Sequence, residues 1–199
     1  MNGKTIGFIL AALLMLSGCR RIQRLDRPYA DNPEMQEKVR KSFDLAIALP
    51  ADMQSSKQGK DFFWLSNNAA SGMKNVVIYR IRSCDTLPLS VERFCELRDS
   101  VMKINIKGEE DSMYVATVKA SVKGRFYPKS RRCRYEGLWE MKGDAMGGPF
   151  VSDVYERPDR RELIIAEGFL YAPETNEKNT LLSQLRAILG SINIINNGK

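Results

Sequence analysis

Two glutamates, Glu136 and Glu140, stand four residues apart in a stretch that alternates polar and apolar side chains. Paired carboxylates can hydrolyse glycosides when they sit about 5 to 9.5 Å apart. On one strand face, four residues span about 13 Å. The pair would therefore need help from Asp144 or Glu167, and a solvated strand face accounts for it better. The 199 residues include no histidine. That removes Ser-His-Asp and Cys-His triads and histidine-ligated zinc. Neither a G-x-G-x-x-G stretch nor a Walker loop is present to cradle a phosphate. None of the four cysteines (Cys19, Cys84, Cys95, Cys133) pairs with another at C-x-x-C spacing, so the sequence predicts neither a metal nor a redox centre. No catalytic residue and no cofactor is expected. Cys84 and Cys95 leave two readings open: a disulfide, given an oxidising compartment, or the ordinary burial of small apolar side chains, which is favoured.

Cys19 has different chemistry open to it. Lys4 precedes an uncharged apolar run over residues 6–16, followed by Ser17, Gly18 and Cys19. A membrane span needs about 20 apolar residues, so this run is too short to be one. A basic head, an apolar segment and small residues before a cut form a secretory signal. The string Leu16-Ser17-Gly18-Cys19 resembles a bacterial lipobox, in which the cysteine is acylated and becomes the new N-terminus. That resemblance implies residues 1–18 as signal peptide, Cys19 as lipidation site, and a stable hold by more than one acyl chain. Arg20, Arg21, Arg24 and Arg27 follow at once. They suit either an anionic leaflet or a solvated tether. The net charge of +7 licenses non-specific attraction to polyanions. However, the basic residues are scattered and the compartment is an exported one, so nucleic acid is not expected as a partner. The expected partners are a membrane, through the lipid, and an envelope protein. Arg20 stands where aspartate can signal inner-membrane retention, and no acidic run follows Cys19. The expected location is therefore the periplasmic face of the outer membrane.

The elements behind the anchor read as follows. Residues 19–41 are charged, with Pro28 and Pro33, and form a tether or linker. Residues 42–197 form one domain of ordinary size. Period-two alternation predicts strands over 43–49, 61–66, 76–82, 113–122, 134–142, 150–156 and 162–171, with a loop over 54–60. In the fourth strand Tyr114, Ala116, Val118, Ala120 and Val122 share a face. The run Leu163-Ile164-Ile165-Ala166 is apolar on both faces and predicts a central strand. Ser90 is a good N-cap, and Leu89 can staple against Phe94, so a helix begins at residue 91. Leu181, Leu182, Leu185, Ile188, Leu189 and Ile192 mark a last helix. The class is α+β: a largely antiparallel sheet of about six to seven strands with a mid-chain and a C-terminal helix packed on it.

One stretch is not generic. Residues 137–150 read as a strand, a glycine turn and a second strand. Gly143, Gly147 and Gly148 can take positive φ, Asp144 is a turn former, and Gly148-Pro149 favours an extended exit. This is either a plain hairpin or a loop that presents Asp144 to a ligand, with Trp139 and Met146 as contact surface.

The string GLWEMKGDAMGGPFVS over residues 137–152 also resembles the signature of a lipoprotein family from the Bacteroides group, a domain of unknown function. Supporting matches are residues 43–50, Phe62-Phe63-Trp64-Leu65, Val77-Ile78-Tyr79, Arg98-Asp99 and residues 167–173. The element order resembles the Mog1/PsbP-like sandwich as well. These resemblances imply location and fold but no known reaction. The anchor, the absence of histidine and the aromatic-rich sheet predict a membrane-tethered envelope module whose role is binding or interaction. A small-molecule or lipid carrier is the alternative, and a carboxylate-dependent hydrolase is a lesser one.

Overall fold

The computed structural model describes residues 30–83 and 85–195. A helix, α1 (Pro33–Phe43), opens them. The Asn32 side chain accepts from the Met35 amide, and Pro33 occupies the first turn, where a missing N–H costs nothing. Met35, Val39 and Phe43 repeat every four residues and are buried. This corrects two expectations, a tether reaching residue 41 and a strand over 43–49. The apolar stripe is only three residues wide and is hidden among charges, so it reads as linker. The strand shrinks to β1 (Leu45–Ala46), which pairs with β9 (Asn193–Ile194). The expected loop over 54–60 instead holds an edge strand, β2 (Ser55–Gln58), whose polar residues hide its pairing.

The main sheet contains β2, β3 (Phe62–Ser66), β4 (Met73–Arg82), β5 (Tyr114–Tyr127), β6 (Arg132–Lys142), β7 (Gly147–Arg157) and β8 (Glu162–Tyr171). Its seven strands run β2-β3-β4-β8-β7-β6-β5, every pair antiparallel. β8 is the central strand, as its two-faced apolar run predicts. The class is α+β, with the mid-chain helix α2 (Val91–Asn105) and the last helix α3 (Lys178–Gly190) where expected.

The sheet buries both faces. On one, α1 and α3 bring Met35, Val39, Phe43, Leu185, Ile188 and Leu189 against Leu65, Val76, Ile78, Val151 and Ile164. On the other, α2 brings Phe94, Cys95 and Met102 against Val77, Tyr135, Trp139, Phe150 and Phe169. Ser90 caps α2 by accepting from the Arg93 amide at 3.1 Å. Leu89 and Phe94 join the same core.

In β5 the predicted face is wrong. Val115 and Thr117 point into the α2 core, and Ala120 is exposed. The register to β6 shifts between Val118 and Lys123. Such a bulge inserts unpaired residues and resets which side faces inward. Beyond it Val122 and Phe126 pack on the same core as Val115. A single alternation therefore cannot describe the strand.

Candidate functional site

The glycine hairpin joins β6 to β7. Gly143 sits at φ 83, a conformation that an L side chain rarely adopts. The Met141 amide donates to the Met146 carbonyl at 2.8 Å, and the Asp144 amide donates to the Met141 carbonyl at 3.2 Å. Asp144 folds its own carboxylate back onto the Ala145 amide at 2.5 Å. Asp144 is exposed and Met146 half-buried against the α2-side core.

Trp139 is a different matter. The sequence offers it as contact surface, yet it is 3% exposed. Its ring meets Phe169 edge-on at 5.4 Å, and its indole N–H donates to the Leu170 carbonyl at 3.1 Å. To reach that carbonyl the indole crosses β7 at Gly148, its partner in register. A Cβ on Gly148 would collide with the Leu170 carbonyl oxygen and press on the indole nitrogen. Pro149, beside it, has no N–H to offer a neighbouring strand. The indole supplies a donor there. On Gly147, a Cβ would stand 2.9 Å from the Trp139 carbonyl oxygen. Trp139, Gly147, Gly148 and Pro149 thus lock three strands together, while the tip from Gly143 to Ala145, with Leu138 and Lys142, faces outward.

Between α2 and the sheet lies a polar cluster that single-residue reading misses. Arg98, on the buried face of α2, is fully enclosed. Its Nε and Nη2 donate to the two oxygens of Glu167 on β8, at 2.8 and 2.7 Å. Its Nη1 donates to the Thr117 hydroxyl at 2.8 Å, which in turn donates to Asp99 at 2.5 Å. The guanidinium lies over the Phe150 ring, 4.4 Å from its centre. Ser152, opposite Glu167 in register, is also fully buried. Burial pushes the Glu167 carboxyl above the usual carboxylate range, and it pushes the Tyr79 hydroxyl well up as well. Among the quoted family matches, Arg98-Asp99 and Glu167 lie far apart in sequence and meet here. Their signal was a charged residue on the apolar stripe of α2.

The other candidate groups are occupied. Glu136 receives Arg186 of α3 in a two-pronged pair at 3.0 and 3.2 Å, and Glu140 receives Lys142 at 2.5 Å. Asp153 is fully buried and takes both Arg132 and Arg134, at 3.0 and 2.7 Å. Cys95 and Cys133 are buried free thiols whose pKa values burial raises. Cys19, and Cys84 with its proposed disulfide, lie outside the described residues. Among the described residues, no three of the acidic and cysteine side chains converge as a metal site.

Comparison with curated proteins finds no match. A known family does match over residues 32–191. The matched stretch begins at the N-cap of α1 and ends one residue past α3, so it takes in the sheet, both cores and the signature hairpin. By that span the chain belongs to the family described as Domain of unknown function (DUF4837).

Proposed function

We propose that this chain is a lipid-anchored envelope protein whose folded domain binds a partner and performs no catalysis. The carrying observation is the fate of the charged side chains on α2, β6 and β8. Glu136 and Glu140 are held in ion pairs, and Arg98 and Glu167, between α2 and the sheet, are sealed from solvent. A reaction centre has to be reached by its substrate, and Arg98 and Glu167 are closed to one, while the half-exposed Glu136 and Glu140 are each held by a cation. The Asp144 tip, with Leu138 and Lys142, is what the motif leaves facing outward.

The anchor reading rests on residues 6–19 and on the resemblance to Bacteroides-group lipoproteins. Among the described residues packing is present from Ala30, whose carbonyl accepts from the Ala51 amide at 2.8 Å, and continues at Asn32, whose amide donates to the Leu49 carbonyl and side chain to the Met53 carbonyl. Extended, residues 20–30 reach at most roughly 40 Å, enough to hold the domain against, or just clear of, the membrane facing the periplasm. Metabolic labelling with an alkyne fatty acid tests this. Label on the parent and none on Cys19→Ala is the expected result. Equal label on both, or none on either, overturns the anchor.

A further inference from the structure

The basic residues are not spread evenly over the fold. Because consecutive strands run antiparallel, the β5–β6 and β7–β8 turns and the end of β4 share one end of the sheet. Arg80, Arg82, Arg157, Arg160 and Arg161 gather there. Two of them are structural. Arg157 donates to the Phe43 and Asp44 carbonyls at 2.7 Å each, and Arg80 donates to the Ser42 carbonyl at 2.8 Å, so both cap the C-terminus of α1. Arg160 pairs with Asp44 at 2.6 Å.

Arg82 and Arg161 differ from these. Among the described residues neither guanidinium has a hydrogen bond, an acidic partner or an aromatic face. Both line an open cavity of about 530 Å³ together with Ser83, Arg160 and Glu162. The Ser83 amide donates to the Arg161 carbonyl at 3.0 Å, which fixes the two segments side by side. The acid in the lining offers them nothing. Glu162 is already shared between Arg157 at 3.1 Å and Arg80 at 3.2 Å. Asp85, next along the chain, is taken by Arg93 at 2.9 Å and by the Ser83 hydroxyl at 2.5 Å.

A twin turn in the same protein shows what an ordinary surface arginine does here. Pro128–Ser130 and Pro158–Arg160 are both short 3-10 turns closed by an arginine with left-handed backbone, Arg131 at φ 45 and Arg161 at φ 51. Arg131 pairs with Glu156 at 2.8 Å. Arg161 occupies the equivalent position and has no acid.

We propose that this cavity is a binding site for a small molecule carrying a phosphate-type oxyanion, held by Arg82 and Arg161. A guanidinium presents its N–H groups as a planar fork that matches such an anion two bonds at a time. Two guanidiniums that line one cavity, with the one acid of that lining already engaged, repel each other until an anion lies between them. The cavity volume falls in the range of small-molecule sites.

The test uses the full chain in neutral detergent micelles, labelled with ¹⁵N-arginine and titrated with inorganic phosphate. It does not depend on acylation, so it can fail while the anchor reading stands. Saturable shifts of the Arg82 and Arg161 side-chain resonances, with Arg131 unmoved, are expected. In a uniformly labelled Arg82→Gln/Arg161→Gln variant, the Ser83 and Glu162 amides should report phosphate binding weakened at least about tenfold. Both arginines are exposed and unbonded, so its melting should match the parent. Absence of any shift, or undiminished binding by the variant, overturns the site. Shifts that arise only in phosphatidylglycerol nanodiscs, without added phosphate, make the anion a lipid headgroup and overturn the small-molecule source.

Discussion

Arg98 Nη2 lies 2.7 Å from Glu167 Oε1, and neither side chain has any solvent exposure. The bond ties the middle of α2 to the central strand of the sheet, through the core rather than around it. Burying two charges costs several kcal/mol each, and their attraction repays this only with good geometry and full hydrogen bonding. Here the fork is two-pronged, Thr117 takes a third N–H, and Phe150 offers its ring face. The pair therefore fixes where α2 sits more than how strongly it is held.

Arg98→Met should destabilise the fold by about 3–5 kcal/mol, because Glu167 is left buried and alone. Adding Glu167→Leu should restore most of that loss, since the lone charge is then gone. Urea denaturation of parent, single and double variants measures both numbers. A double variant as unstable as the single one would show that the pair contributes net stability.

The same pair marks the limit of reading along the chain. Regular elements were legible wherever the pattern is local. Leu163 to Ala166 announced the central strand, Ser90 announced the start of α2, and Leu185, Ile188 and Leu189 announced the buried side of α3. What stayed hidden is non-local or sparse. Met35, Val39 and Phe43 are three apolar residues among charges. The β5 bulge reverses an alternation that looked continuous. Trp139 reads as an exposed aromatic until Gly148 and Leu170 are placed beside it. Arg98 reads as surface charge until Glu167, 69 residues on, arrives. At the candidate site the turn chemistry was visible, and the inward direction of its largest side chain was not.

Gly148→Ala should be among the most damaging single-methyl additions in this protein. The new carbon meets backbone, the Leu170 carbonyl, which cannot rotate away as a side chain could. Overpacking usually costs about 1–3 kcal/mol, and the top of that range or above is expected. Gly190→Ala is the matched control, because a Cβ there meets nothing within 4 Å. It ends α3 and should be neutral or stabilising by up to about 1 kcal/mol. Thermal melts of the two variants should shift in opposite directions or differ by many degrees. Equal melts would mean that β7 and β8 can part at little cost.

Asp44 supplies a pH-dependent contribution. The Arg160 hydrogen bond and charge hold its carboxyl below the usual range. A depressed folded pKa gives stability that is present above the unfolded value of about 4 and is lost as pH falls through the folded value. Asp44 sits at φ 50, a conformation that asparagine tolerates, so Asp44→Asn removes charge with little strain. At pH 7 the variant should lose at most about 1 kcal/mol, the scale of a partly exposed pair. That difference should close as the pH drops below about 4. A gap that persists at pH 2 would assign the loss to backbone conformation instead of charge.

Asp144 separates architecture from recognition in the hairpin. Among the described residues its carboxylate bonds only the neighbouring Ala145 amide and its side chain is exposed, while Gly143 takes the left-handed position of the turn. Asp144→Ala should therefore change stability by no more than about 0.5 kcal/mol, as is usual for surface sites. If the tip is the outward face of a binding module, the same variant loses a partner. A photo-crosslinking residue placed at Ala145 in living cells gives the readout, a specific adduct for the parent that fades with Asp144→Ala at unchanged melting temperature. An adduct that survives the substitution removes Asp144 from recognition. Loss of the adduct together with a collapsed melting curve shows that the carboxylate serves the turn, and the signature would then record the folding of β6 onto β7 alone.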